Sequence, residues 1–141
     1  MDTSNTKYIY GAAWIASIAL ALGVGVAIGD TQPVKESRGV KIGAPETLDL
    51  APWAADMAGR KLRLRRFDIA PGGVIGVHSH DDRPDVSYLV QGTLTELRAG
   101  DFLETRPAET LHAAGKGVTH WVVNRGAVPA TLIVADLYKP E

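Results

Sequence analysis

The sequence contains no cysteine. That absence excludes a disulfide framework, a thiolate zinc site, an iron–sulfur cluster and a cysteine nucleophile. An excess of either charge is also missing: 15 Lys+Arg against 16 Asp+Glu leave a formal net charge of −1. The broad basic footprint of a nucleic-acid binder is therefore absent, and no nucleic-acid partner is expected. There is no internal repeat or low-complexity tract, and no phosphate loop or paired-carboxylate motif. What remains is a chain of 141 residues, a length that suits one domain with a real core.

One long run lacks charge altogether. The 22 residues from Tyr8 to Gly29 include no Asp, Glu, Lys, Arg or His. As a helix they would span roughly 33 Å, enough for a hydrocarbon core of about 30 Å. Tyr8, Tyr10 and Trp14 stand near one end, where aromatic rings suit the membrane interface. The expectation is an N-terminal transmembrane anchor, with a cleaved signal helix as the rival reading. Lys35, Arg38 and Lys41 after the span argue for a cytoplasmic domain, whereas the short tail before it resembles an export layout. The preferred location is periplasmic or extracytoplasmic, and secreted if the segment is cleaved.

Residues 30–44 are polar and broken by Gly and Pro, and read as a linker. From residue 45 to 141 the pattern becomes short apolar runs between turn signals, at 61–69, 74–77, 86–90, 93–97, 102–105, 110–113, 119–123 and 130–138. The separators include Pro71-Gly72-Gly73, Gln91-Gly92 and Gly115-Lys116-Gly117. Many short strands at regular spacing predict an all-β antiparallel barrel or sandwich. In the run 61–69, Leu62 and Leu64 share one face and Phe67 and Ile69 the other. A β-bulge near Arg65 and Arg66 accounts for that slip. Lys61, Arg63, Arg65 and Arg66 are expected to form a solvated strand face.

All four histidines, His78, His80, His112 and His120, fall within 43 residues. On a strand the i, i+2 pair His78 and His80 projects to one face, with Cα atoms roughly 7 Å apart, close enough to grip one metal ion. Val74 and Gly76 are expected on that same face. His112 reads as a surface or pocket-rim residue, Asn124 as a barrel-wall or turn residue, and Trp121 and Tyr88 as apolar payload. Arg83 is expected to pair with an acid or to meet an anionic ligand at the barrel mouth.

The string from Gly72 through His78-Ser79-His80 and Asp85 to Gly92 resembles the first signature of the cupin superfamily. Gly115-Lys116-Gly117-Val118-Thr119-His120 through Asn124 resembles the second. The family's usual Glu is Asp85 here, one methylene shorter, and its opening Pro of the second signature is Gly115. The resemblance implies a cupin-type β-barrel or jelly roll. It also implies one divalent ion (Fe, Mn, Ni, Cu or Zn) on His78, His80, Asp85 and His120, with Asp81, Asp82 or water as alternatives to Asp85. Two functions stay open. One is a membrane-tethered metalloenzyme of oxygenase, isomerase or decarboxylase type, acting on a small molecule. The other is a non-enzymatic cupin that binds a small ligand or serves as accessory subunit of a membrane complex. A homodimer is compatible with either.

Overall fold

The computed structural model describes residues 32–100 and 102–140. The expected anchor or signal helix from Tyr8 to Gly29 lies outside them. Among the described residues no helix is long and apolar enough to cross a membrane. The one helical piece among them is a 3-10 turn at Ala55–Met57.

The described residues form an all-β structure of nine strands: β1 (Arg38–Ile42), β2 (Glu46–Asp49), β3 (Lys61–Ser79), β4 (Asp85–Gln91), β5 (Thr93–Arg98), β6 (Phe102–Pro107), β7 (Thr110–Ala114), β8 (Thr119–Val123) and β9 (Ala130–Tyr138). They make one nearly closed antiparallel barrel in the order β6-β5-β8-β3-β9-β4-β7, with β1 and β2 laid against β3. β3 is the spine. Its first half pairs with β9 and its second half with β8, so it passes from one side of the barrel to the other.

Four expectations change here. Pro71-Gly72-Gly73 does not separate two strands but lies within β3. The chain crosses so tightly that a Cβ on Gly73 would sit 2.8 Å from the carbonyl oxygens of Ala70 and Gly39. No bulge occurs at Arg65 and Arg66, because pairing with β9 is unbroken from Lys61↔Tyr138 to Ile69↔Ala130. The apolar phase slips for another reason. Leu62 and Leu64 point outward, 38% and 49% exposed, and Arg63 and Arg65 point inward. The buried carboxylate of Asp136, cross-strand partner of Arg63, draws both guanidiniums in. Only Arg66 behaves as the solvated face predicts, pairing with Asp68 at the surface. The stretch 30–44, expected as linker, contains β1. Val40, Lys41 and Ile42 pair there with Ile69, Asp68 and Phe67, so hydrogen bonding overrides the polar composition.

Two apolar clusters fill the interior. Phe67, Ile69, Leu89, Leu94, Ala130 and Val134 form one, and Val74, Leu97 and Trp121 the other. Each fully buried large side chain contributes about 1.5–3 kcal/mol. Trp121 is core, whereas Tyr88 faces outward at 38% exposure. Asn124 is fully buried and stitches the β8–β9 turn. Its Nδ2 donates to the carbonyls of Ile69 and Val128, and its Oδ1 accepts from the Gly126 amide.

Candidate metal centre

Strand register brings the histidines together. His78 on β3 lies directly opposite His120 on β8, and His80 follows just past the end of β3. The register of this pair shifts by one residue between Ile75 and His78. The bulge therefore sits immediately before the H-x-H, not ten residues earlier. It also changes which residues accompany the histidines. Ile75 lines the same cavity, whereas Val74 packs against Leu97 and Trp121. Gly76 is needed on account of a crossing chain: a Cβ there would lie 2.5 Å from the Lys35 carbonyl oxygen.

His120 Nε2 lies 2.9 Å from His80 Nε2 and 3.1 Å from His78 Nε2. The three ligand atoms all fall within 4.8 Å of one another. On the far side of the His78 and His80 rings, Nδ1 meets an acceptor. His78 Nδ1 donates to the Gly76 carbonyl at 2.8 Å and His80 Nδ1 to the Arg83 carbonyl at 3.1 Å. His120 Nδ1 stands 3.0 Å from Glu96 Oε1, close but not in line for a well-directed hydrogen bond. The two carbonyls set the tautomer of His78 and His80: the proton sits on Nδ1 and the lone pair on Nε2. Burial pushes His78 and His80 down to about 4, so both rings are neutral at pH 7. The Nε2 atoms of His78 and His80 thus turn toward the His120 Nε2 and converge on one point. A divalent cation fits that arrangement. Metal–nitrogen bonds of about 2.1 Å put neighbouring donors roughly 3 Å apart at a right angle, which the two spacings from His120 Nε2 match.

Two carboxylates approach the rings from outside. Asp85 Oδ2 is 3.5 Å from His80 Nδ1, on the side of the ring away from the converging nitrogens. Burial raises its pKa. The structure thus brings His78, His80 and His120 together and leaves Asp85 beside His80. Asp81 is turned elsewhere, accepting from the Gly117 amide and the Ser79 hydroxyl. The second carboxylate, Glu96, was missed in the sequence. Its side chain is fully buried, and both oxygens are engaged: Oε1 by Arg98 Nε at 2.6 Å and Oε2 by Arg106 Nη1 at 2.7 Å. Burial works against its charge, but His120, Arg106 and Arg98 outweigh that and hold its carboxyl far below the usual range. The only sequence signal was an acid inside the short apolar run 93–97.

The cavity in front of the histidines has a volume of about 80 Å³. That is small beside the roughly 300–1,000 Å³ of drug-sized ligand sites. Arg65, Arg83 and Arg106 line it, against Asp85 and Glu96. His112 also faces it, 3.4 Å from Glu96 Oε2 and stacked 6.4 Å from the His120 ring. Arg83, at the mouth, approaches Asp136 at 3.7 Å.

Solved structures place this architecture. The cupin domain of an XRE-family transcriptional regulator from Enterobacter cloacae superposes with a TM-score of 0.52 over 74% of this chain and 100% of its own, at 15% identity. The barrel is cupin-like. A predicted oxalate decarboxylase from Thermotoga maritima shares the cupin-like fold, with a TM-score of 0.51 and 19% identity over 77% of this chain and 95% of its own. Among curated proteins, germin-like protein subfamily 3 member 3 of Arabidopsis thaliana is 32% identical over 98 residues, 67% of this chain and 46% of the relative. The chain spans less than half the length of the curated relatives it matches. No protein-family profile matches the chain.

Proposed function

We propose that this cupin-like barrel holds one divalent metal ion on His78, His80 and His120 and uses it to transform a small oxygenated or anionic molecule. The observation that carries the reading is the convergence of three Nε2 atoms, with Nδ1 of His78 and His80 committed to backbone carbonyls. An ion of the Fe, Mn, Ni, Cu or Zn group supplies Lewis acidity there and, where redox-active, electrons for O₂. The protein's own part is positional and electrostatic. Burial keeps the His78 and His80 imidazoles neutral, and apolar Ile75, Leu94, Val122 and Val134 limit water in the cavity. Arg65 and Arg106 in the lining are paired with Asp136 and Glu96, and Arg83, half-exposed at the mouth, is the guanidinium placed to meet an anionic guest. Asp85, the acid the sequence resemblance marks, stands beside His80 Nδ1, and we assign it a weaker share in holding the ion.

Oxygenase, isomerase and decarboxylase chemistry all fit such a centre, and fold does not choose among them. The test is metal content of protein purified without added metal, followed by O₂ uptake and product analysis with small carboxylates, diols and thiols. Turnover that requires the ion supports the enzyme reading. A bound ion with no turnover across the panel favours the second reading, a ligand-binding or accessory cupin. One observation speaks for that alternative: the outer sheet face presents Leu64, Val86 and Leu111 at 49%, 58% and 78% exposure. Large exposed apolar groups in one region mark contact surfaces. Anchoring through Tyr8 to Gly29, with the barrel outside the cytoplasm, rests on the sequence, and fractionation of the native protein tests it.

A further inference from the structure

The centre contains an acid that the sequence motifs do not include. We propose that Glu96 is the positioning residue of this metal centre, orienting His120 through Nδ1 so that Nε2 faces the ion. The proposal rests on the metal-binding reading above and deepens it.

Register dictates the contact. On β5 and β8, Glu96 lies opposite Val122, which makes His120 its diagonal neighbour on the same face. The Glu96 side chain is 0% exposed and the His120 side chain 6%. His120 Nδ1 makes no well-directed hydrogen bond, and the buried Glu96 Oε1 stands 3.0 Å from it, where water has little access. Glu96 is itself fixed from two sides. Arg98, two residues on along β5, holds Oε1, and Arg106 on β6 holds Oε2 while also gripping Glu104 at 2.6 Å. A carboxylate gripped in this way keeps its orientation and leaves no oxygen free to swing toward the ion. Its effect on the ion must pass through the His120 ring, whose proton it keeps on Nδ1 and whose Nε2 it makes a stronger donor. His78 and His80 have only backbone carbonyls in that role at hydrogen-bond distance. His120 alone is backed by a fully buried anion. Asp85, by contrast, is 3.5 Å from His80 Nδ1 and 14% exposed.

Two measurements test this. Long-range ¹H–¹⁵N correlation of the metal-free wild-type protein reads the His120 tautomer directly. Nδ1–H is expected, and Nε2–H as the main form overturns the proposal without any variant. Titration with Co(II), followed by its visible absorption, then compares Glu96→Gln and Asp85→Asn with wild type. Glu96→Gln should weaken Co(II) binding roughly 10–100-fold and alter the absorption envelope. Asp85→Asn should weaken it less. Glu96→Gln binding within twofold of wild type with an unchanged spectrum, or a larger loss from Asp85→Asn, refutes the assignment. If wild-type protein binds no Co(II), the metal reading itself fails. The tautomer measurement still decides whether Glu96 sets the His120 proton.

Discussion

Removing the carboxylate of Asp136 should cost this barrel more than almost any other single change. Asp136 is 1% exposed and receives Arg63 through two bonds, Nε to Oδ1 at 3.0 Å and Nη2 to Oδ2 at 2.7 Å. Arg65 Nη2 adds a third bond at 2.8 Å. The arginine side chains are each 16% exposed, so both charges lie mostly out of water. The bond to Asp136 raises Arg63 above its usual pKa, whereas burial lowers Arg65. Asp136→Ala leaves two guanidiniums in the interior with no counter-charge, and breaking a buried pair in this way costs about 3–5 kcal/mol. For a domain near 100 residues, each kcal/mol shifts Tm by about 4–8 °C, so a fall of at least about 12 °C is expected. Urea unfolding of the variant, with the slope checked against wild type, gives the loss directly. The triple change Arg63→Met, Arg65→Met and Asp136→Leu should recover most of it, because the penalty comes from unpaired charge. A loss below about 1 kcal/mol, or a triple variant no better than Asp136→Ala, would refute the reasoning.

Stability of the metal-free protein should fall as pH drops from about 6.5 toward 4, because the unfolded chain protonates His78 and His80 in that window and the folded barrel does not. Two such groups give a slope of up to about 2.7 kcal/mol per pH unit. A urea midpoint that stays constant from pH 7 to pH 5, or a slope unchanged in the double variant His78→Gln and His80→Gln, contradicts it. Gly76→Ala should lift residues 34–37 from the barrel, since its Cβ meets the Lys35 backbone at 2.5 Å. The Val77 amide would then lose the Val34 carbonyl, now at 2.7 Å, and exchange its hydrogen faster. Unaltered protection at Val77 counts against this. Asp85→Ala should lower metal affinity less than His78→Ala does, as water can fill the place of a distant carboxylate; equal losses in a metal titration would contradict that ranking.

The sequence made the barrel legible because turn signals and apolar runs recur at even spacing, and seven of the strands in the structure overlap runs marked there. It made the histidines legible through local spacing, since i, i+2 on a strand needs no knowledge of the rest of the fold. Errors arose wherever a partner distant in sequence reversed a local preference. Arg63 and Arg65 looked solvated because Asp136, more than 70 residues away, was not visible as their counter-charge. The bulge before His78 falls where the chain at Lys35 passes close to Gly76, a neighbour about 40 residues away in sequence. Strand β1 arose in a polar stretch because β3 offered it hydrogen bonds. Glu96 stayed hidden for the same reason, as its arginines and His120 come from three different positions along the chain.

Metal stoichiometry tests the central claim most directly. Protein stripped with chelator, dialysed and titrated with a divalent ion should take up one equivalent per chain. Substituting either His78 or His120 by Ala should abolish that equivalent, because each removes one of only three nitrogens that converge. Full stoichiometric uptake by His78→Ala, or no uptake by the wild-type chain, would contradict the account.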